Sequence, residues 1–362
     1  MPAKVQMDAL HGLRGLAAVC VMLLHFAWLT GFHIAPRAYT AVDMFFLLSG
    51  FVIAHAYDPR FASGMTLYAF AKARLIRLYP LYFLGLLSGI MMTPVTAALG
   101  ISPGFSRLSL MISSMFGFAF LPTPPAFSAD GSLFPQVGPA WSLFWELLAN
   151  GMFALTALAL TKRRLQVIVG TGAIALCFVA WSADKIDGGC YWKAFPTGGI
   201  RVWFAFFLGV YIRRHHFSVH KVGRYGGLAF AIVLVMASAA LLARPPASYG
   251  WIFDLFVVTI VWPALILVAY QIQLDGLVRQ VAQISGDVSY ATYVLHTPLI
   301  ALFVGGWSFW EGTSPKELPP AGVAIVALII MGCAMIANTW YDAPVRRWLS
   351  DKGRAKCSVT QF

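Results

Sequence analysis

Arg14 and His25 lie eleven residues apart within one apolar stretch, in a chain that carries few charges anywhere. At 3.6 residues per turn that spacing is about three turns, so both side chains share one helix face. The rise separates them by about 16 Å along the helix axis. An imidazole is the usual general base near neutral pH, and a guanidinium is an anion binder. A snorkelling arginine and an interhelical hydrogen-bonding histidine would give the same pattern.

Other residues belong to the same short list, because an ionisable group inside a bilayer costs roughly 2.5–3.5 kcal/mol to insert. Glu146 lies in PAWSLFWE, four residues after Ser142 and on the same face. If its helix adjoins that of His25, the carboxylate orients the imidazole as a base. A helix-start carboxylate held by the dipole is the alternative, although Glu146 lies beyond the first turn. Arg74 and Arg77 form R-L-I-R. Spacing alone does not separate a phosphate clamp there from an ordinary basic flank. Asp43 opens VDMFFLLSGF, where Ser49 is a hydrogen-bonding neighbour and Gly50 allows close helix approach. Ser289, Tyr293 and His296 fall at i, i+4 and i+7, an inward polar stripe that suits a structural network as well as catalysis. His55 and Asp58 read as interfacial, and Asp254 has no partner that sequence reveals.

The elements that position these residues follow from composition. Apolar residues make up 59% of the 362 and charged residues 11%, far below the roughly 25% charged of soluble domains. Runs of the roughly 20 residues that cross a bilayer recur along the chain. The fold expected is an all-α polytopic membrane protein with helices at 10–31, 41–57, 66–92, 140–161, 165–183, 200–212, 225–243, 250–271, 284–306 and 320–341. The segment 106–121 is short and rich in Ser, Gly and Met, and is read as re-entrant or surface-lying. That choice puts Lys162-Arg163-Arg164, Arg213-Arg214 with Lys221 and Arg224, and Arg346-Arg347 on the cytoplasmic side with both termini. The Pro-rich loop 122–139 then lies outside. The second half of 58–78, on the inside, is expected to lead amphipathically into the third helix.

One transmembrane domain over 1–345 and a short basic tail over 346–362 account for the chain. The formal charge of +12 does not signal nucleic-acid binding, because Lys and Arg sit in small groups between apolar spans. A basic inner face would instead attract anionic lipids and anionic cofactors. The five cysteines show neither metal spacing nor a disulfide framework and read as apolar fillers; no metal is expected. The first span reads as an uncleaved helix. Nothing in the sequence sets an oligomeric state.

Taken in order, LHGLRGLAAVCVMLLHF, VDMFFLLSGFVIAHAY, ARLIRLYPLY, PAWSLFWELLANGMF and SGDVSYATYVLHTPL resemble the motifs of acyltransferase family 3, membrane proteins of bacteria. The resemblance covers residues 10 to about 300. It implies an acyl-CoA donor, commonly acetyl-CoA, taken from the cytoplasm across the bacterial inner membrane. The implied acceptors are hydroxyls of outer glycans such as lipopolysaccharide, exopolysaccharide or lipid-linked sugars. It makes His25 the catalytic histidine with Arg14 as partner, Arg74 and Arg77 the donor-site pair, and Glu146 the matching glutamate. Phe144 stands where many members carry a small polar residue. The stand-alone form, without an outer hydrolase-like domain, is expected.

With that prior, a narrow channel would lead the pantetheine arm from a basic inner rim, held by Arg14, Arg74 and Arg77, toward His25. Ser142, Tyr293 or backbone N–H groups would stabilise the oxyanion. The rival class is a proton-coupled transporter whose relay uses His25, Glu146, Asp43 and His296. The missing repeat halves and absent paired broken helices speak against it.

Overall fold

A computed structural model describes residues 7–98, 100, 104–215 and 222–359, without the side chains of Trp28 and 352–359. Lys221 and the side chain of Cys357 lie outside that description. Among the described residues the regular elements are helices, apart from two isolated β-bridges, as backbone must be helical where no water satisfies its polar groups.

The helices are α1 (Asp8–Thr30), α2 (Ala41–Ala62), α3 (Leu67–Ala98), α4 (Arg107–Phe118), α5 (Ala140–Thr156), α6 (Lys162–Ala183) and α7 (Phe195–His215). They continue as α8 (Gly226–Leu242), α9 (Gly250–Phe256), α10 (Trp262–Gln271), α11 (Gly276–Glu311), α12 (Pro320–Ile336) and α13 (Ala343–Val359). Two π-helical turns, Val257–Val261 and Ala337–Asp342, join α9 to α10 and α12 to α13. Among the described residues, eight helical stretches are long and apolar enough to cross a membrane. The chain is an all-α, multi-pass integral membrane protein.

Each of the ten expected spans coincides with a helical stretch, with different ends. Two of them, α5 and α8, are 17 residues each and fall short of the length of the other eight. α11 runs for 36 residues, from Gly276 rather than 284 and past Pro298 to Glu311. Hydrophobicity marks only the lipid-length part of such a helix, and its polar N-terminal end is held by Asp8, which pairs with Arg279 and Gln283. α4 spans 12 residues, about 18 Å, against a hydrocarbon core of about 30 Å. Ser106 caps it by accepting from Ser109 N, and Tyr82 on α3 donates to Gly117 O at 2.7 Å. The boundary expected at 345 falls inside α13.

Two helix pairs organise the bundle. α1 lies parallel to α11: Asp8 meets Gln283 and Arg279 at one end, and Met22 and Phe26 share a core with Ile300 and Val304 toward the other. α2 lies against α7 so closely that a Cβ at Gly50 would collide with the carbonyl of Phe206. Gly50 is there because no other residue lets the two backbones meet.

Candidate active site

α1, α2, α3, α5 and α11 enclose a cavity of about 190 Å³. Arg14, Arg74 and Arg77 line it together with Glu146, Ser49, Ser142, Ser289, Tyr290 and Tyr293. Three guanidiniums therefore face one carboxylate, an arrangement suited to an anion.

Each arginine is held differently. Arg14 Nε donates to Ser289 Oγ at 2.8 Å, and its Nη2 donates to Gly286 O. Arg74 Nη2 donates to Glu146 Oε1 at 3.1 Å. Arg77 lies 4.0 Å from Asp342, on the π-helical turn, and stacks on the Tyr290 ring at 5.7 Å. Asp342 is fully buried and pairs more closely with Arg346, at 2.7 Å. Arg77 thus keeps much of its charge for the cavity.

Glu146 accepts from Ser49 Oγ at 2.6 Å as well as from Arg74. Among the described residues it makes no hydrogen bond with His25. The expected Glu146–His25 pair is therefore corrected: Arg74 on α3 takes the carboxylate, at 3.1 Å. Shared depth on two helices does not ensure that two side chains face one another.

His25 does not line the cavity. Its Nδ1 lies 2.8 Å from Val21 O, and its ring meets that of His296 edge to face, with centroids 4.6 Å apart. The ring is only partly buried. Tyr293 joins the two regions: it lines the cavity, shares a hydrogen bond of 2.7 Å with Ser142, and lies 6.1 Å from the His296 ring. Phe45 packs against the other side of Tyr293. The open channel expected between arginines and His25 is in this structure a cavity whose wall near His296 is the Ser142–Tyr293 pair.

Arg14 and His25 do share a helix face, the one against α11. Ser289, Tyr293 and His296 form a buried stripe, as their spacing implied. Asp43 is elsewhere. It is fully buried against Arg201, at 2.7 and 3.0 Å, and Arg201 also donates to Tyr39 O and Gly188 O. Asp254, partnerless by sequence, accepts from Arg37 at 2.9 Å, Tyr39 at 2.7 Å and Ile186 N at 3.4 Å. His55 and Asp58 meet Arg213 and Arg214. Tyr290 and Asp342 were missed. Tyr290 sits beside Ser289 in a stripe read only at Ser289, Tyr293 and His296, and Asp342 sits just past the last apolar run.

The fold defines a multi-pass membrane protein with a polar, arginine-lined cavity among its helices. A family model for an acyltransferase domain matches residues 7–339, and the chain belongs to acyltransferase family 3. It is 36% identical over 179 residues to protein 2 in the picA locus of Rhizobium radiobacter, covering 47% of this chain and 93% of that protein. Over 149 residues it is 30% identical to the exopolysaccharide production protein ExoZ of Rhizobium meliloti (strain 1021), covering 41% and 43% of the two chains. Acyltransferase MdmB of Streptomyces mycarofaciens is 26% identical over 382 aligned positions, 93% of this chain and 90% of that one. No solved structure matches.

Proposed function

We propose that this protein transfers an acyl group, acetyl foremost, from cytoplasmic acyl-CoA to a hydroxyl of a glycan or lipid-linked sugar on the outer side of the bacterial inner membrane. The observation that carries the reading is the convergence of Arg14, Arg74 and Arg77 on one cavity in an acyltransferase chain. The name of the exopolysaccharide production protein supports the glycan acceptor. Ten spans with both termini inside, a transmembrane domain over 1–345 and a basic tail over 346–362 belong to the same proposal.

The three arginines hold the donor's phosphates at the cytoplasmic rim, so the charged nucleotide never enters hydrocarbon. The thioester arm occupies the cavity up to Tyr293. Glu146 is a positioning residue that fixes Arg74 and Ser49. His25 is the base: a carbonyl only accepts, so Val21 O keeps the ring proton on Nδ1 and makes Nε2 the nitrogen that takes a proton from the acceptor hydroxyl. The oxygen attacks the thioester carbonyl, the C–S bond breaks, and the thiol leaves protonated. Ser142 and Tyr293, at the cavity's inner wall, are the hydroxyls available to the oxyanion. The thioester reaches His25 when their mutual hydrogen bond opens.

The test uses the purified protein in lipid nanodiscs with labelled acetyl-CoA and a surface-polysaccharide extract. Mass spectrometry is expected to show an acetyl gain on the glycan that His25→Ala abolishes while the protein stays folded. Substantial transfer by that variant refutes the base assignment. Label on the protein without acceptor would replace direct transfer by a covalent route.

A further inference from the structure

His296 is fully buried on α11, and its Nδ1 lies 3.0 Å from Thr292 O. By the same argument as for His25, that carbonyl keeps the proton on Nδ1 and makes Nε2 an acceptor. Nε2 has no hydrogen-bond partner among the described residues. Buried polar atoms are nearly always satisfied, and an exception calls for an explanation, a catalytic role among them. The ring lies against His25, with centroids 4.6 Å apart and planes at 64°, and one turn from Tyr293 of the cavity wall.

Transfer has two proton ends. The acceptor loses a proton on the side where His25 is partly exposed, and the thiolate needs one on the side of the cavity. One imidazole touching both a bulky sugar and the departing sulfur would have to serve two openings. The pair of imidazoles divides that task.

We propose that His296 Nε2 is a second proton station in the transfer. This rests on the acyltransfer reading above. The acceptor O–H proton passes to His25 Nε2 as its oxygen bonds to the acyl carbon. The C–S electron pair goes to sulfur. The proton then passes from His25 Nε2 to His296 Nε2 when the two rings, in edge-to-face contact here, turn into hydrogen-bond reach, and on to the thiolate when the Ser142–Tyr293 pair opens, so the products are ester and thiol and both rings return neutral.

The experiment is a proton inventory of single-turnover rates with saturating acetyl-CoA and glycan, for wild type and His296→Asn. Asparagine keeps an N–H for Thr292 O and deletes Nε2. In the wild type the rate is expected to fall with D₂O fraction along a curve, the mark of more than one proton in flight. His296→Asn is expected to lose about 10²-fold in rate, the lower bound for a general acid–base group. Its donor KM should stay within threefold, and its inventory should become a straight line. A straight line in the wild type overturns the relay even if the variant fails to fold. So does a variant rate within threefold of wild type, or a slowed variant whose inventory stays curved. No transfer at all by the wild type overturns the acyltransfer reading, and the relay with it.

Discussion

Arg74 donates to Glu146 across 3.1 Å inside the cavity, joining α3 to α5, where a donor-binding arginine and a carboxylate turned to His25 were expected. Both side chains are about 15% exposed, so the pair is neither screened by bulk water nor sealed from it. Arg74→Ala is expected to raise the KM for acetyl-CoA about 10- to 100-fold, the worth of about 1.5–3 kcal/mol for a hydrogen bond to a charged group. Little change in kcat should accompany it. Donor titration in nanodiscs checks this, and a fall in kcat at constant KM would move Arg74 out of donor binding.

The Asp43–Arg201 pair is expected to act on stability alone. Breaking a buried pair leaves an uncompensated charge and costs about 3–5 kcal/mol. Arg201→Met should therefore lower the yield of folded protein and its melting temperature in detergent. Combining it with Asp43→Leu should recover much of the loss. A single variant that melts like wild type would show that the pair carries no stability.

Helix glycines separate cleanly by surroundings. A Cβ at Gly50 runs into the Phe206 backbone, which cannot step aside, whereas one at Gly151 on α5 meets nothing within 4 Å. Gly50→Ala should destabilise by about 1–3 kcal/mol, as overpacking does. Gly151→Ala should be neutral or stabilise by up to about 1 kcal/mol, the difference in helix propensity. Thermal unfolding followed by size-exclusion fluorescence distinguishes them.

Sidedness has a direct test. In a cysteine-free background, Asp184→Cys in the α6–α7 loop should react with a membrane-impermeant maleimide in intact spheroplasts. Thr161→Cys, at the start of α6, should react only after permeabilisation. The reverse pattern would invert the topology proposed.

Cys190, in the α6–α7 loop, has its thiol pushed up to about 12 by burial. The thiolate is the nucleophile, so below that value the residue stays protonated and inert. Alkylation of native protein between pH 7 and 9 is expected to leave Cys190 unmodified, with full modification after denaturation. Peptide mass spectrometry reads both, and rapid native labelling would show that the loop opens.

The sequence by itself determined the material and the alphabet of this protein. Apolar runs of lipid length fix helices, because hydrocarbon offers the backbone no other partner. The eleven-residue step from Arg14 to His25 and the stripe from Ser289 to His296 fix which side chains share a face, because helical periodicity is local. The short, Ser-rich segment around α4 was read as re-entrant or surface-lying because a span there would move the later basic clusters outside. Partnership across helices was decided only by tertiary structure. Asp254 with Arg37, Asp43 with Arg201, and Glu146 with Arg74 rather than His25 are contacts between residues 72 to 217 positions apart. Which carboxylate meets which cation depends on how each helix is rotated and tilted against its neighbours, set by contacts such as Gly50 on Phe206. The same packing put His296 beside His25, a pairing that no local spacing encodes.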